Sequence, residues 1–368
     1  MKLAIAADWL VTYGGAERTV AEFLKIWPGS PLFTTVAHPA NLGPLRDADI
    51  RTTRLQTLYN LMGKHQLLLP LMPRALEDID LSGYDTVLSS SHAVAKGIVP
   101  PDGAVHVCYC HTPMRYAWEM EKQYLQDFRV PKFLQRRVRA ELSRLRRWDL
   151  TTAKRVDVFI ANSTETQDRI SRIYGRESVV IHPPADGIFL ETPLAAPPAD
   201  APFLAVGRFV PYKRFDLLIE IANARKLPLT IAGTGQDEKR LRAMAGPTVR
   251  FAGFVPETEL PALYTSARAL LFPPYEDAGI VPLEAQATGR PVIAYARGGA
   301  RDTVIEGETG TFFAEQTAAS LGDALDRFGT MRFDHAAIRA HAAEFSSQRF
   351  RAAIKNAVEE ARRTFGVS

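Results

Sequence analysis

The feature that most constrains this chain is a repeated alternation of short apolar runs with segments of helical periodicity. In the first half, the apolar runs include Leu3–Ala7 and Val105–Cys110, and Ala16–Trp27 follows the first of them with helical spacing. A second series begins at Phe203–Val206 and continues through Ala269–Phe272. This alternation is typical of buried parallel strands joined by crossover helices. It predicts an α/β protein with two doubly wound sheets.

A segment without this alternation separates the two series. Residues 185–202 are rich in proline and alanine and have no apolar period, which indicates a linker. The sequence therefore predicts domains at 1–188 and 200–345, in agreement with 368 residues at about 150 residues per domain. The apolar spacing within 346–368 predicts a terminal helix with one packing face, which we expect to pack back on the first domain.

Composition and short apolar segments exclude several classes of protein. The chain is 46% hydrophobic and 23% charged, and its longest apolar runs are far shorter than the roughly 20 residues of a membrane span. Its opening apolar segment is closed by Asp8, which indicates a buried strand and not a signal peptide. Cys108 and Cys110 are expected to be buried, reduced thiols of a cytoplasmic protein. The net charge of +4 tolerates anionic partners, and no nucleic-acid partner is predicted.

Two cations follow the first strand of the second series. Gly207 ends that strand, and Arg208 and Lys213 lie five residues apart across a short turn. An arginine can bind a diphosphate bidentately, and a lysine supplies a mobile point charge. A solvated basic loop is the alternative interpretation.

Two glutamates flank the start of a predicted helix after the strand Ala269–Phe272. Gly279 permits close backbone approach, and the helix is expected to begin near Ile280 or Val281, where its free amides could hold a phosphate. Glu276 precedes the helix and could reach a sugar, whereas Glu284 lies about one turn inside it. Charges on a helix surface are the alternative.

Polar residues also follow strands in the first half. The pair Gly14 and Gly15 forms a strand-to-helix loop, and His111 lies just past a strand end with Arg115 after it. His92 and Lys96 follow another predicted strand, and we interpret them as contacts to an acceptor substrate, as we do Arg115. The alternatives are an ordinary glycine turn, a structural histidine and a capped helix start.

Residues 130–157 form a strongly basic segment. Its apolar residues recur at spacings of three and four and predict a basic amphipathic helix at about 131–155. This stripe consists of Leu134, Val138, Leu142, Leu145 and Trp148. The stripe could face the core of its own domain, or the helix could bind an anionic lipid surface or a lipid diphosphate acceptor. The apolar stretch Leu58–Arg74 could extend the acceptor groove.

Two pairs of aspartates have the spacing that some enzymes use for Mn²⁺. They are Asp47 with Asp49 and Asp78 with Asp80, and neither pair follows a clear strand end in a nucleotide-binding unit. We interpret them as surface acids. Because Arg208, Lys213 and a helix N-terminus can neutralise a diphosphate, we predict no metal and no cofactor.

Taken together, the motifs resemble the retaining glycosyltransferases of family 4, which have the GT-B fold, over nearly the whole chain. The residues that carry the resemblance are Gly14–Arg18, His111–Pro113, Ala161–Ser163, His182–Asp186, Gly207–Lys213, and Glu276 with Glu284. The segments SSSHAVAKG and CHTPMRYAWE look like a bacterial subgroup that builds polysaccharides, often with mannose.

The resemblance implies two Rossmann-like domains facing across a cleft and a role for each matched residue. Arg208 and Lys213 would bind the donor pyrophosphate, Glu284 the ribose, and Glu276 the transferred sugar. The amides of Ala278, Gly279 and Ile280 would lie near that sugar, and Phe254 and Val255 would frame the base.

His111 would contact the donor sugar, and Gly14 and Gly15 the donor phosphate or the acceptor. Glu276, His111, Arg208 and Lys213 are the predicted catalytic group. Many relatives have an aromatic residue where this chain has Ala278.

The function predicted from the sequence is transfer of a hexose, with retention, from a nucleotide diphosphate sugar, GDP-mannose being the first expectation. The predicted acceptor is a glycan or a polyprenyl-diphosphate-linked saccharide of cell-surface polysaccharide synthesis, with the enzyme in the cytoplasm or on the inner face of the plasma membrane. The alternatives are a GT-B sugar-nucleotide epimerase and a non-catalytic, membrane-associated sugar-binding protein. A nicotinamide-dependent oxidoreductase lacks support because no G-x-G-x-x-G follows the first strand.

Overall fold

The computed structural model describes residues 1–119, 131–185, 187–198 and 200–367. The chain divides into two compact units, one of Met1–His182 with Arg351–Ser368 and one of Pro183–Phe350. Each unit is built around one sheet in which every pairing of neighbouring strands is parallel. The predicted α/β class with two doubly wound sheets is confirmed.

The sheet of the first unit has seven strands in the order β3-β2-β1-β4-β5-β6-β7. The strands are β1 (Leu3–Ala7), β2 (Leu32–Thr34), β3 (Ile50–Thr52), β4 (Thr86–Ser91), β5 (Val105–Cys110), β6 (Val158–Ala161) and β7 (Ser178–Val180). The central strands β1, β4 and β5 are buried along their whole length, as expected for a parallel sheet covered by helices. Cys108 and Cys110 are free, buried thiols on β5, as predicted.

The helices of the first unit connect successive strands. They are α1 (Gly15–Ile26), α2 (Leu55–Met62), α3 (Met72–Glu77), α4 (Arg115–Trp118), α5 (Lys132–Thr152) and α6 (Thr164–Tyr174). The 3₁₀ turns are Pro39–Asn41, Gly43–Leu45, His65–Leu68, Ala95–Gly97 and Ala153–Arg155. Helix α6 begins at Ser163, whose hydroxyl accepts the amide of Thr166 at 3.1 Å and caps the helix.

The second unit has six strands in the order β10-β9-β8-β11-β12-β13. They are β8 (Phe203–Val206), β9 (Leu229–Ala232), β10 (Val249–Gly253), β11 (Leu270–Phe272), β12 (Val292–Tyr295) and β13 (Gly310–Phe313). The helices are α7 (Gly187–Leu190), α8 (Phe215–Arg225), α9 (Glu238–Met244), α10 (Leu260–Thr265), α11 (Ile280–Ala287), α12 (Ala300–Thr303), α13 (Ala318–Thr330) and α14 (His335–Ala343), with a 3₁₀ turn at Pro211–Lys213. Alternate residues of β8 face different cores, since Phe203 and Ala205 belong to one cluster and Leu204 to the other.

The boundary between the units lies earlier than the sequence suggested. The predicted first domain ended at 188, but the second unit begins at Pro183, and Phe189 is fully buried in its core against Tyr264. The proline and alanine content of residues 185–202 therefore predicted the irregular later part of this segment but not the short helix α7 at its beginning. A four-residue helix is too short to show an apolar period.

The last helix, α15 (Ser347–Thr364), begins in the second unit and continues into the first. The predicted apolar face is present, with Ile354 and Val358 fully buried. Two arginines fix the helix to the first unit. Arg351 pairs with Glu22 of α1 at 2.5 Å, and Arg362 pairs with Asp85 at the start of β4.

Both sheets follow the 3-2-1-4-5-6 order of a Rossmann fold. In such a sheet the connections from the first and fourth strands leave in opposite directions, and ligands bind in the crevice at the carboxyl ends of that pair. In the first unit this point lies between the ends of β1 and β4, and in the second unit between those of β8 and β11. These two positions are where functional side chains are expected.

Candidate functional site

An ion pair bridges the point in the second unit where the strand order reverses. Lys213 lies in the turn after β8 and Glu276 in the loop after β11, and the Lys213 ammonium contacts Oε1 of Glu276. Their side chains are 10% and 20% exposed. The structure therefore brings together two predicted site residues that are far apart in the sequence.

Glycines allow the loops under this ion pair to approach closely. The backbone of Gly233 has a φ of +136°, and a Cβ there would overlap the carbonyl oxygen of Gly207. A Cβ on Gly235 would likewise overlap the carbonyl of Phe209. The loop after β9 thus packs directly on the loop that carries Arg208 and Lys213, and side chains larger than hydrogen at these positions would displace it.

Helix α11 begins at Ile280, as predicted, with Gly279 as its first flanking residue. The first amides of a helix have no acceptor within the helix. Pro282 has no amide N–H, so the amides of Ile280 and Val281 are the ones available to an anion. The loop before the helix is braced by Gly299, whose amide donates to the carbonyl of Glu276 at 2.9 Å. The sequence analysis missed the pair Gly298 and Gly299, although two adjacent glycines shortly after the apolar run that forms β12 are a visible signal.

Glu284 lies one turn inside α11 and is only 4% exposed. Its Oε2 accepts a hydrogen bond from the hydroxyl of the buried Tyr264 at 2.8 Å. The predicted contact of Glu284 with a ribose stays a prediction. The structure shows that Tyr264 holds the Glu284 carboxylate in place.

The remaining predicted donor residues of the second unit lie on its surface. Arg208 is exposed beside Gly207, and Ala278 is half-buried in the loop before α11. Phe254 follows β10 with 76% of its surface exposed, and Val255 beside it is half-buried. An aromatic ring so exposed contributes little to the stability of its unit, and it is consistent with a surface on which a planar base could stack.

In the first unit, His111 lies just beyond β5. Its Nε2 is 2.8 Å from the hydroxyl of Ser90, and its ring lies 5.1 Å from that of Tyr109. Burial, and to a lesser degree the charge of His92, lowers the pKa of His111 to about 3. The imidazole is therefore neutral at physiological pH and can take part in hydrogen bonds without carrying charge.

Gly14 and Gly15 lie in the predicted strand-to-helix loop, at the start of α1. The contact of Gly14 and Gly15 with the donor phosphate or the acceptor stays a prediction, and in the structure the amide of Gly14 donates to Oε2 of Glu17 at 3.0 Å. Burial raises the pKa of this glutamate. A side chain of the same helix thus caps the N-terminus of α1 at Gly14, in the manner of a capping box.

The predicted acceptor contact of Lys96 is wrong. Its side chain is 2% exposed, and its ammonium pairs with Oδ1 of Asp149 at 2.8 Å and donates to Thr152 at 2.9 Å. The lysine anchors helix α5 beneath the sheet end and is inaccessible to a substrate. Its neighbour His92 is 31% exposed and contacts the buried Asp8, a residue that the sequence analysis treated only as the end of a strand. Arg115 is half-buried at the start of α4.

Helix α5 confirms the predicted basic amphipathic helix, and its stripe faces two environments. Leu142 and Leu145 are buried in a core cluster of the first unit, so the interpretation as a core-facing helix holds for this part. At its beginning, however, Phe133 is 81% and Leu134 39% exposed. The stripe therefore leaves the core toward the N-terminus of the helix.

The aspartate pairs lie on the surface of the first unit, where Asp49 pairs with Arg51 and Asp78 with Arg54. Within the described ranges, no group of three or more His, Cys, Asp or Glu side chains could hold a metal ion. No helix in the described part of the chain is long and apolar enough to span a membrane. Asp186, in the motif His182–Asp186, lies outside the described residues.

Solved structures share this fold at low sequence identity. The structure of HepE from Anabaena in complex with UDP superposes with a TM-score of 0.71 at 17% identity, covering 98% of this chain and 100% of that one. Sucrose-phosphate synthase from Thermosynechococcus elongatus does so with a TM-score of 0.71 at 19% identity, covering 99% and 100%. These likenesses establish the fold, which is GT-B.

Sequence comparisons identify the family. A D-inositol 3-phosphate glycosyltransferase of Frankia alni is 32% identical over 46% of this chain and 49% of its own length. This chain spans about half the length of the curated relatives it matches. Residues 13–186 match the model of Glycosyltransferase Family 4, and residues 190–345 match that of Glycosyl transferases group 1. The two matches together account for most of the chain, which belongs to the family 4 glycosyltransferases.

Proposed function

We propose that the chain transfers a hexose from a nucleotide diphosphate sugar to a saccharide acceptor, with the second unit binding the donor. The observation that carries this proposal is the bridge between Lys213 and Glu276 at the point of strand reversal. It joins a cation suited to a diphosphate to a carboxylate suited to sugar hydroxyls, beside the first amides of α11.

The chemistry we propose is mainly electrostatic. As the bond between the anomeric carbon and the diphosphate oxygen breaks, negative charge grows on the leaving group. Arg208, Lys213 and the amides of Ile280 and Val281 would stabilise this charge more than that of the ground state. The acceptor oxygen then bonds to the same face of the anomeric carbon, and its proton passes to the leaving diphosphate. Retention and independence of metal ions are parts of this proposal.

GDP-mannose remains our first expectation for the donor. A relative from Mycolicibacterium smegmatis, 32% identical over 46% of this chain and 53% of its own length, is named a GDP-mannose-dependent mannosyltransferase. HepE, by contrast, was solved with UDP. Thermal stabilisation by GDP, UDP and ADP separates these bases, because at equal concentration the ligand that binds the folded protein most tightly raises the melting temperature most. We expect GDP to give the largest shift.

Transfer itself is the direct test. With radiolabelled GDP-mannose or UDP-glucose and a panel of p-nitrophenyl hexosides, we expect a glycosylated product that forms equally well in excess EDTA. Activity that EDTA abolishes and Mn²⁺ restores would contradict the metal-independent mechanism. Conversion of the donor in the absence of any acceptor would favour the epimerase, and unchanged donor with every acceptor would favour a binding protein.

We further propose that the first unit docks on an anionic membrane surface. Three large side chains are strongly exposed there: Leu61 at 85%, Leu67 at 60% and Phe133 at 81%. Arg144 of α5 donates to the carbonyl of Pro70 at 2.7 Å, which joins the basic helix to the apolar segment. Exposed apolar side chains next to basic ones are the features that bind anionic lipid. Such a position would suit a lipid-linked acceptor.

Vesicle sedimentation tests this docking. We expect the protein to bind vesicles of phosphatidylglycerol and not of phosphatidylcholine, and to lose binding in high salt because screening weakens the attraction. Leu61→Ser and Phe133→Ser should each weaken binding severalfold. Phe365→Ser is the matched control, since this phenylalanine is also exposed, at 49%, but lies beyond α15. Equal losses in all three variants would contradict the proposed surface.

A further inference from the structure

Two neighbouring serines of β4 each contact the Nε2 atom of a histidine. The hydroxyl of Ser89 lies 2.8 Å from Nε2 of His106. The hydroxyl of Ser90 lies 2.8 Å from Nε2 of His111. Both serines are buried, and a hydroxyl can either donate or accept a hydrogen bond. The other contacts of each pair therefore decide which ring nitrogen carries the proton.

A carbonyl group fixes the tautomer of His106. Its Nδ1 is 3.1 Å from the carbonyl oxygen of Arg155, and a carbonyl oxygen only accepts hydrogen bonds. Burial lowers the pKa of His106 to about 4, so its ring is neutral at physiological pH and carries one proton. This proton lies on Nδ1, and the lone pair of Nε2 accepts from Ser89.

The tautomer of His111 depends on Ser90 instead. Within the described part of the chain, Nδ1 of His111 has no hydrogen-bond partner, and Nε2 of His111 is the only partner of the Ser90 hydroxyl. If Nε2 carried the ring proton, the hydrogen of this buried hydroxyl would be left without an acceptor, which is unfavourable in a protein interior. Ser90 therefore donates to Nε2, and Nδ1 carries the proton.

This tautomer determines what His111 can do chemically. Burial and the charge of His92 lower the pKa of His111 to about 3, so the ring is neutral, and it is only half-buried. The single lone pair of the ring, on Nε2, is occupied by Ser90, which prevents His111 from acting as a general base. The polar group that the ring offers is the N–H of Nδ1. Such a donor suits a sugar oxygen and adds no positive charge.

The backbone around this pair is held in place by further hydrogen bonds. The loop after β4 is fixed by Asp8, whose two oxygens accept the amides of the four residues 92–95 at 2.6 to 3.1 Å. The amide of His111 donates to the carbonyl of Ser91 at 2.8 Å. The carbonyl of His111 accepts from the hydroxyl of Thr166, in α6, at 3.1 Å. A donor held in this way is preorganised, so it loses little entropy when it binds a ligand.

We propose that Ser90 fixes His111 in the tautomer with the proton on Nδ1, and that this N–H donates a hydrogen bond to an oxygen of the transferred hexose. The inference rests on the proposed transferase function and deepens it by assigning His111 the role of a neutral donor. Ser90 is a positioning residue, since it acts on the sugar only through His111. No bond is made or broken in this contact, and the acceptor proton passes to the leaving diphosphate without His111.

The nitrogen chemical shifts of the histidine rings test the tautomer directly. In protein labelled with nitrogen-15 histidine, proton–nitrogen correlation spectra distinguish protonated from unprotonated ring nitrogens, and His111→Phe identifies the signals of His111. We expect the proton on Nδ1 in the wild type, a mixture of both tautomers in Ser90→Ala, and the proton on Nδ1 again in Ser90→Thr, which keeps the hydroxyl. His106, held by Arg155, should keep its proton on Nδ1 in every Ser90 variant, which shows that the sheet is intact.

Transfer kinetics test the contact with the sugar. Ser90→Ala should lower kcat/KM for the sugar nucleotide that the wild type uses about three- to tenfold, as for one neutral hydrogen bond. Its affinity for the nucleoside diphosphate, which lacks the sugar, should not change in calorimetry. Ser90→Thr should recover most of the loss. Ser89→Ala is the matched control, because it removes the neighbouring hydroxyl of the same strand, and it should leave transfer unchanged.

The outcomes separate this inference from the function on which it rests. A proton on Nε2 of His111 in the wild type, or a proton that stays on Nδ1 in Ser90→Ala, would overturn the assignment. Equal losses of transfer in Ser89→Ala and Ser90→Ala, or weaker nucleotide binding in Ser90→Ala, would overturn it too. A wild type that neither binds nucleoside diphosphates nor transfers sugar would instead refute the proposed function. The tautomer is measured without substrate, so its result is independent of such a failure.

Discussion

Replacing Lys213 with Met is expected to lower the turnover number for sugar transfer about 100- to 1,000-fold, the effect typical of losing one preorganised charge-stabilising group. It should also weaken the binding of the nucleoside diphosphate. Glu276→Gln should lower turnover to a similar extent, but it should not weaken diphosphate binding. The glutamate contacts the lysine ammonium, so its removal frees that charge for the phosphates. Steady-state transfer assays and calorimetry with the diphosphate measure the two effects.

The matched control for this pair is Arg240→Ala. Arg240 also pairs with an acid in the second unit, Asp237 at 2.6 Å, but its side chain is 49% exposed and it lies on α9, outside the loops after β8 and β11. It should leave turnover and affinity unchanged. Near-normal turnover in Lys213→Met, or weaker diphosphate binding in Glu276→Gln, would show that the ion pair does not act as we assign it.

Replacing Lys96 with Met should produce the largest loss of stability. The change leaves Asp149, which is fully buried, without the cation that neutralises it, although Trp118 and Tyr174 still donate to its Oδ2 at 2.8 and 2.9 Å. Breaking one partner out of a buried ion pair costs about 3 to 5 kcal/mol. For a unit of this size the melting temperature should fall by about 10 °C. Thermal and urea unfolding measure the change.

Two further variants distinguish charge from packing. The double variant Lys96→Met with Asp149→Asn should recover part of the loss, since it removes the uncompensated charge. Arg51→Ala breaks an exposed pair in which both side chains are 50% accessible, and it should leave the free energy of unfolding almost unchanged. If Lys96→Met were no more destabilising than Arg51→Ala, the buried pair would not anchor helix α5.

The sequence predicted the positions of the loops after β8 and β11 well because their signals are local. Lys213 and Glu276 each follow an apolar run that could only be a buried strand, and parallel strands bring their carboxyl ends to one edge of a sheet. The start of α11 could be predicted within one residue from the glycine before it. The positions of side chains with such short-range determinants can be predicted without knowing which distant residues pack against them.

The first unit was harder to predict because its determinants are long-range. Lys96 follows a strand, as substrate-binding residues do, but its flexible stem turns inward to reach Asp149, 53 residues later in the chain. Asp8 carried no motif, and its importance comes from amides 84 to 87 residues away. Sequence spacing does not reveal such partners. Asp8 and its amides, for example, become neighbours only when β1 pairs with β4.

The path of α15 bears on how the protein is made. The first unit is discontinuous, because its last segment, Arg351–Ser368, follows the whole of the second unit in the chain. During synthesis from the N-terminus, Arg351–Ser368 can join the first unit only after the whole of Pro183–Phe350 has been made. Until Arg362 emerges, Asp85 at the head of a central strand lacks its cation. The first unit therefore completes its core only when α15, with Ile354 and Val358 buried, has packed on it.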